Sequence, residues 1–134
     1  KREDAMSKPI ITASAPVLLV RDVQLAAAYY KDKLGFHDQA FFGDPVNFAM
    51  VRREGFTIML GAAVDPEPIV PNWKRAHGLW NVYIWVADVD AIYAEYQANG
   101  AIIDYTLGNK AYGVREFGVR DLDGYDIAIG QIMR

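Results

Sequence analysis

The chain has 134 residues, a formal net charge of −3 and apolar side chains at 52% of its positions, enough for one domain with its own core. Aromatics at 13% and charged residues at 23% exclude a disordered chain, and a pI near 5.3 argues against nucleic acid, whose phosphates need clustered Lys and Arg. The lack of cysteine removes disulfides, thiolate nucleophiles, Fe–S clusters and cysteine zinc sites, leaving His37 and His77 as the only imidazoles.

Residues 1–13 read as an N-terminal extension. The charged start Lys1-Arg2-Glu3-Asp4 has no apolar run behind it, so no signal peptide is expected. No stretch approaches the ~20 apolar residues of a membrane span, and a cytoplasmic protein with no membrane partner is the expectation. Val17–Val20 then reads as a strand, and Asp22-Val23 opens a helical pattern that closes at Gly35. Its apolar positions Val23, Ala26, Ala27 and Tyr30 follow i, i+3, i+4, i+7, which is one buried stripe. His37 opens a further strand. Phe48–Arg53 and Phe56–Gly61 flank the Glu54-Gly55 dipeptide, a hairpin signal.

The pattern then repeats. Residues 62–78, with Pro66, Pro68 and Pro71, read as a connector. Val82–Val86 reads as a strand, and Asp88-Val89 opens a second helical pattern, closing at Gly100, with the stripe Val89, Ile92, Tyr93 and Tyr96. Phe117–Tyr125 matches Phe48–Phe56 at an offset of 69, and Tyr125–Gly130 matches Phe56–Gly61 at the same offset. Each half is thus one strand, one helix and three strands: an α+β chain of two tandem βαβββ units, 14–61 and 79–134.

The residues Leu19–Val23, Tyr29–Phe36, Val86–Val89, Gly100 and Tyr112–Tyr125 resemble the glyoxalase / bleomycin-resistance / extradiol-dioxygenase superfamily, also called the vicinal oxygen chelate superfamily, over roughly residues 14–131. The resemblance implies a curved mixed sheet with a concave cleft for the ligand, and in many members a dimer that completes each cavity. Metal-dependent members carry ligands on the first and fourth strands of both units. Carried over, those positions are Ala15, Met59, Asn81 and Ala128, where the family's His or Gln, Glu, His and Glu are missing. Such side chains cannot hold a divalent ion, so no metal and no cofactor is expected. The resemblance then points to the bleomycin-resistance branch, whose members sequester a drug in a hydrophobic cleft.

Strand alternation gives a candidate lining. If Arg120 opposes Tyr125 across the Asp121–Gly124 turn, Phe117 opposes Ala128, and Arg115, Phe117 and Asp126 share the inward face. The ligand-binding set is then Phe48, Met50, Met59, Asn81, Tyr83, Trp85, Arg115, Phe117 and Asp126; a slip of one residue reverses it. The competing reading is that these side chains fill a core or a dimer interface. Trp73 and Trp80 form a lid or pack the connector on the sheet, and Arg115 pairs with Glu116 or Asp126. The expected function is metal-independent binding or sequestration of a small aromatic or amphipathic molecule by a bacterial, antibiotic-resistance-like homodimer with no catalytic residue. The alternative is a superfamily lyase, isomerase or dioxygenase with an atypical or absent metal site.

Overall fold

Asp22 and Asp88 start the two helices by the same contact, each side chain accepting the backbone N–H three residues on, from Leu25 at 3.0 Å and Ala91 at 3.1 Å. The computed structural model describes residues 8–64 and 68–134, so residues 1–7 of the expected extension and 65–67 of the connector, Pro66 among them, lie outside the described residues. The elements run β1 (Val17–Val20), α1 (Val23–Asp32), β2 (Asp38–Phe42), β3 (Phe48–Arg53), β4 (Phe56–Ala62), a 3-10 turn (Asn72–Lys74), β5 (Val82–Trp85), α2 (Val89–Ala98), β6 (Ile102–Asn109), β7 (Val114–Arg120) and β8 (Asp126–Ile132). Past each helix, Gly35 and Gly100 take φ of 79° and 77°, the left-handed region that costs a side chain energy.

Two four-stranded mixed sheets result, ordered β1-β4-β3-β2 and β5-β8-β7-β6. In each, the first strand runs parallel to the fourth and the rest pair antiparallel. This is the tandem βαβββ fold of two units. One face of each sheet is covered by its helix: Val20, Val51, Ile58 and Leu60 are buried with Ala27 and Tyr30, and Val119, Ile127 and Ile129 with Val89 and Tyr96. Ile92 and Tyr93 of the second stripe are half-buried.

The units are joined by reciprocal contacts. Tyr30 of α1 donates to Asp121 Oδ2 at 2.7 Å, and Tyr96 of α2 donates to the Leu34 carbonyl at 2.9 Å. Arg53 grips Glu95 with two bonds of 2.7 and 2.8 Å. Among the described residues no helix is long and apolar enough to cross a membrane.

The second hairpin departs from the expected register. Arg120 pairs with Asp126, so Phe117 pairs with Ile129, and Gly118 pairs with Ala128. The first hairpin turns on two residues, Arg53 pairing with Phe56, whereas the second loop holds five, Asp121–Tyr125. The Asp121 side chain holds that wider loop by accepting the N–H groups of Asp123 (3.0 Å) and Tyr125 (2.9 Å). The expected Arg120–Tyr125 pairing leaves four residues in that loop, and the one extra residue moves every side chain of β7 to the other face.

Candidate functional site

The helix-free face of the first sheet is apolar. Val17 pairs with Met59, Met50 with Met59, and Leu19 and Phe48 with Gly61, so all five side chains share that face. Val17 and Leu19 are 61% and 54% exposed. The structure thus brings the expected Phe48, Met50 and Met59 together.

The second sheet is different. Tyr83 pairs with Ala128 and Trp85 with Gly130, and the backbone N–H of Asn81 meets the Asp126 carbonyl, so these residues share the helix-free face with Asp126. Phe117 and Arg115 do not. Phe117 is fully buried on the helix side, its ring 4.9 Å from that of Tyr93 and 5.9 Å from that of Tyr96. Arg115 lies on that same side, its Nε 2.7 Å from Asp90 of α2. The pairings expected for Arg115 with Glu116 or Asp126 are therefore corrected: Asp126 is held by Arg120 at 2.8 Å.

In place of Phe117, the register brings Glu116 to the helix-free face, 1% exposed. Its carboxylate accepts hydroxyls of Tyr83 at 2.6 Å, Tyr105 at 2.5 Å, and Tyr112 at 2.8 and 2.9 Å to its two oxygens. The Trp80 indole donates to the Tyr105 hydroxyl at 3.0 Å. Two glycines make room. A Cβ at Gly118 would collide with the Tyr105 ring, and one at Gly130 with the Tyr83 hydroxyl. Register shifts in β6 on either side of Tyr105 set that ring over Gly118. Burial and the neighbouring Glu116 carboxylate raise all three tyrosines above their ordinary pKa, Tyr112 to about 12.

At the other end of this face, Arg120 bridges Asp126 and Asp104, the latter at 3.0 Å. Burial, with Asp104 alongside, raises Asp126 to about 6. Trp73 lies over this group, the Arg120 guanidinium 4.1 Å from its ring centre and its indole N–H on the Gly124 carbonyl at 2.6 Å. That contact packs the connector on the sheet. His37 and His77 are both exposed. A groove of about 840 Å³ follows β5, with Tyr83 and Trp85 among its lining residues and Phe36, Phe56 and Tyr96 from elsewhere in the chain.

Sequence comparison matches residues 12–129 to the family described as the Glyoxalase/Bleomycin resistance protein/Dioxygenase superfamily. The chain belongs to that superfamily. No curated protein matches it in sequence. Among solved structures, TioX from Micromonospora sp. ML1 is 23% identical with a TM-score of 0.72, covering 91% of this chain and 99% of that one. A glyoxalase-related enzyme from Clostridium phytofermentans gives 15% and 0.74, covering 95% and 99%. A superfamily member from Sphaerobacter thermophilus gives 19% and 0.70, covering 91% and 98%. At these identities the likeness shows the fold.

The metal that many members of the superfamily use finds no donor set here. Ala15, Met59 and Ala128 offer no nitrogen or oxygen side chain, and the Asn81 carbonyl already accepts the Asn72 N–H at 2.9 Å. Among the described residues no three His, Cys, Asp or Glu side chains cluster as ligands. The four positions do not fit a divalent ion.

Tyr105, Tyr112 and the place of Glu116 among tyrosine hydroxyls escape the sequence reading, which pairs Glu116 with Arg115. Their signal lies in the glycines: Gly118 and Gly130 leave holes on one face that Tyr105 and Tyr83 fill, and only the correct register exposes the pattern.

Proposed function

We propose that the protein binds and sequesters a small aromatic or amphipathic molecule of antibiotic type, without metal, in a cleft completed by a second copy of the chain. One observation carries this reading: the helix-free faces present Val17, Leu19 and Trp85, each more than half exposed, beside Phe48, Met50, Met59 and Tyr83. Large apolar side chains gathered on open sheet faces signal a ligand or partner rather than ordinary surface. Flat rings and flexible methionines suit a planar ligand by stacking and sulfur–aromatic contact. The poor donor set at the four inherited positions removes the Lewis-acid route of the metal enzymes in the superfamily.

Tryptophan fluorescence and thermal-shift screening against planar aromatic antibiotics, with and without Zn²⁺, Ni²⁺ or Fe²⁺, test the reading. A compound that quenches and raises the melting temperature without metal supports it, because a ligand of the native state stabilises by linkage. Stabilisation that needs the metal overturns it in favour of an enzyme. Sedimentation equilibrium tests the second copy: a monomer in the presence of bound ligand rejects the shared cleft.

A further inference from the structure

Among the described residues Glu116 is a buried carboxylate with no cationic partner. No Lys, Arg or His nitrogen of the described residues approaches it within 4.0 Å, and its oxygens are met there by three tyrosine hydroxyls. The indole N–H of Trp80 can only donate, so the Tyr105 oxygen accepts it and must send its own proton to Glu116. The three hydroxyls cover both carboxyl oxygens, Tyr83 on Oε1, Tyr105 on Oε2, and Tyr112 sharing its one proton between the two.

A buried, unneutralised carboxylate is costly, and an apolar side chain of similar size would be cheaper on stability alone. The first sheet makes that choice, with Phe48 at the position equivalent to Glu116. What covers Glu116 is a layer of rings. Tyr112 is 59% exposed, and Tyr83 continues the layer to Trp80 and Trp85, with ring centres 4.9 and 4.7 Å away. Ring faces are the negative part of the aromatic quadrupole, and a carboxylate bonded to their hydroxyls makes them more so. One cation of the chain already uses this surface: the Lys110 ammonium sits 4.8 Å from the Tyr105 ring centre.

We infer that the ring layer over Glu116 is a subsite for an organic cation, a quaternary ammonium or a cationic aromatic ring, carried by the ligand. The inference rests on the binding function proposed above and names the chemical class at one end of that cleft. The cation lies on the ring faces of Tyr83 and Trp85, and Glu116 neutralises it from beneath without direct contact.

Isothermal titration calorimetry with the full chain at pH 7.5 compares 1-methylquinolinium chloride with quinoline, a nearly isosteric bicycle that is uncharged at this pH. The cation is expected to bind about tenfold tighter. Glu116→Gln keeps an acceptor for the hydroxyls and brings the two affinities within about threefold while leaving quinoline unchanged. Lys110→Ala removes a like charge from the neighbouring Tyr105 ring and tightens the cation, not quinoline, by about two- to threefold. Should Glu116→Gln fail to fold by circular dichroism, the wild-type pair and Lys110→Ala carry the test. Equal affinity for the two probes overturns the cation subsite and leaves the apolar cleft standing. An unchanged preference in Glu116→Gln also overturns it. Binding of neither probe overturns the subsite and the proposed function together.

Discussion

Phe48 and Glu116 occupy equivalent places in the two sheets, the first opposite Gly61 and the second opposite Gly130. The repeat therefore preserves a backbone position while inverting its chemistry. One helix-free face becomes apolar and soft. The other holds a carboxylate under aromatic rings.

That equivalence separates Phe117 from Phe48 energetically. Phe117 is fully buried against Tyr93 and Tyr96, whereas Phe48 is half-buried on an open face. Phe117→Ala is expected to cost about 3–5 kcal/mol, and Phe48→Ala well under half of that. Urea unfolding of the two variants measures the difference. A larger loss at Phe48 would place Phe117 on the open face after all.

The joint between the units rests on two tyrosines with unequal stakes. Tyr30→Phe removes the hydroxyl on Asp121 Oδ2, and the carboxyl there is 3% exposed, so about 1–3 kcal/mol of stability should be lost. Tyr96→Phe costs less, because the Leu34 carbonyl keeps its bond from Arg53 Nη1 at 2.9 Å. Thermal or urea denaturation ranks them, and equal losses would contradict this account of the joint.

The helices and their caps were legible in the sequence because their causes are local: an Asp three residues before an N–H, an apolar stripe, a glycine past the end. The register of the second hairpin was not. The Asp123-Gly124 dipeptide looks like the two-residue Glu54-Gly55 turn, and the Phe48/Phe117 match reinforced that alignment. What widens the loop is the Asp121 side chain, fixed in turn by Tyr30 from the other unit. The Glu116 cluster lies further from local pattern. Its hydroxyls come from β5, β6 and the loop before β7, and only the sheet order brings them together.

The inherited metal positions, Asn81 and Ala128 among them, are open to a direct test. Asn81→His with Ala128→Glu restores two donors to one sheet face, at the approach to β5 and two places further along β8 than the residue opposite Asn81. Glu at 128 must enter a fully buried position beneath Tyr83, so tighter Zn²⁺ or Ni²⁺ binding is expected only with Tyr83→Ala added, which opens the space. Calorimetric metal titration of the double and triple variants reads this. Binding in the double variant alone would mean that the ring layer yields more easily than its hydrogen bonds suggest.

The last expectation concerns pH. Burial raises the carboxyls of Asp121 and Asp126 to about 6, with Asp123 and Asp104 respectively adding to the rise. In the unfolded chain an aspartate titrates near pH 3.9. Between roughly pH 4 and 6 the folded protein therefore binds more protons than the unfolded one, and its stability must fall as pH rises through that window. Asp90 and Glu95, lowered by Arg115 and Arg53, work in the opposite sense, but their contribution is lost only as pH falls below the ordinary carboxylate range. Urea midpoints should thus be higher at pH 5 than at pH 7, by an amount on the order of 1–3 kcal/mol in unfolding free energy. Asp126→Asn keeps an acceptor for Arg120 and cannot titrate, so its midpoint should vary less over the same range. A wild-type midpoint that stays level from pH 5 to pH 7 would show that these two carboxyls ionise as freely in the fold as in water, and one that climbs would show them held below the ordinary value.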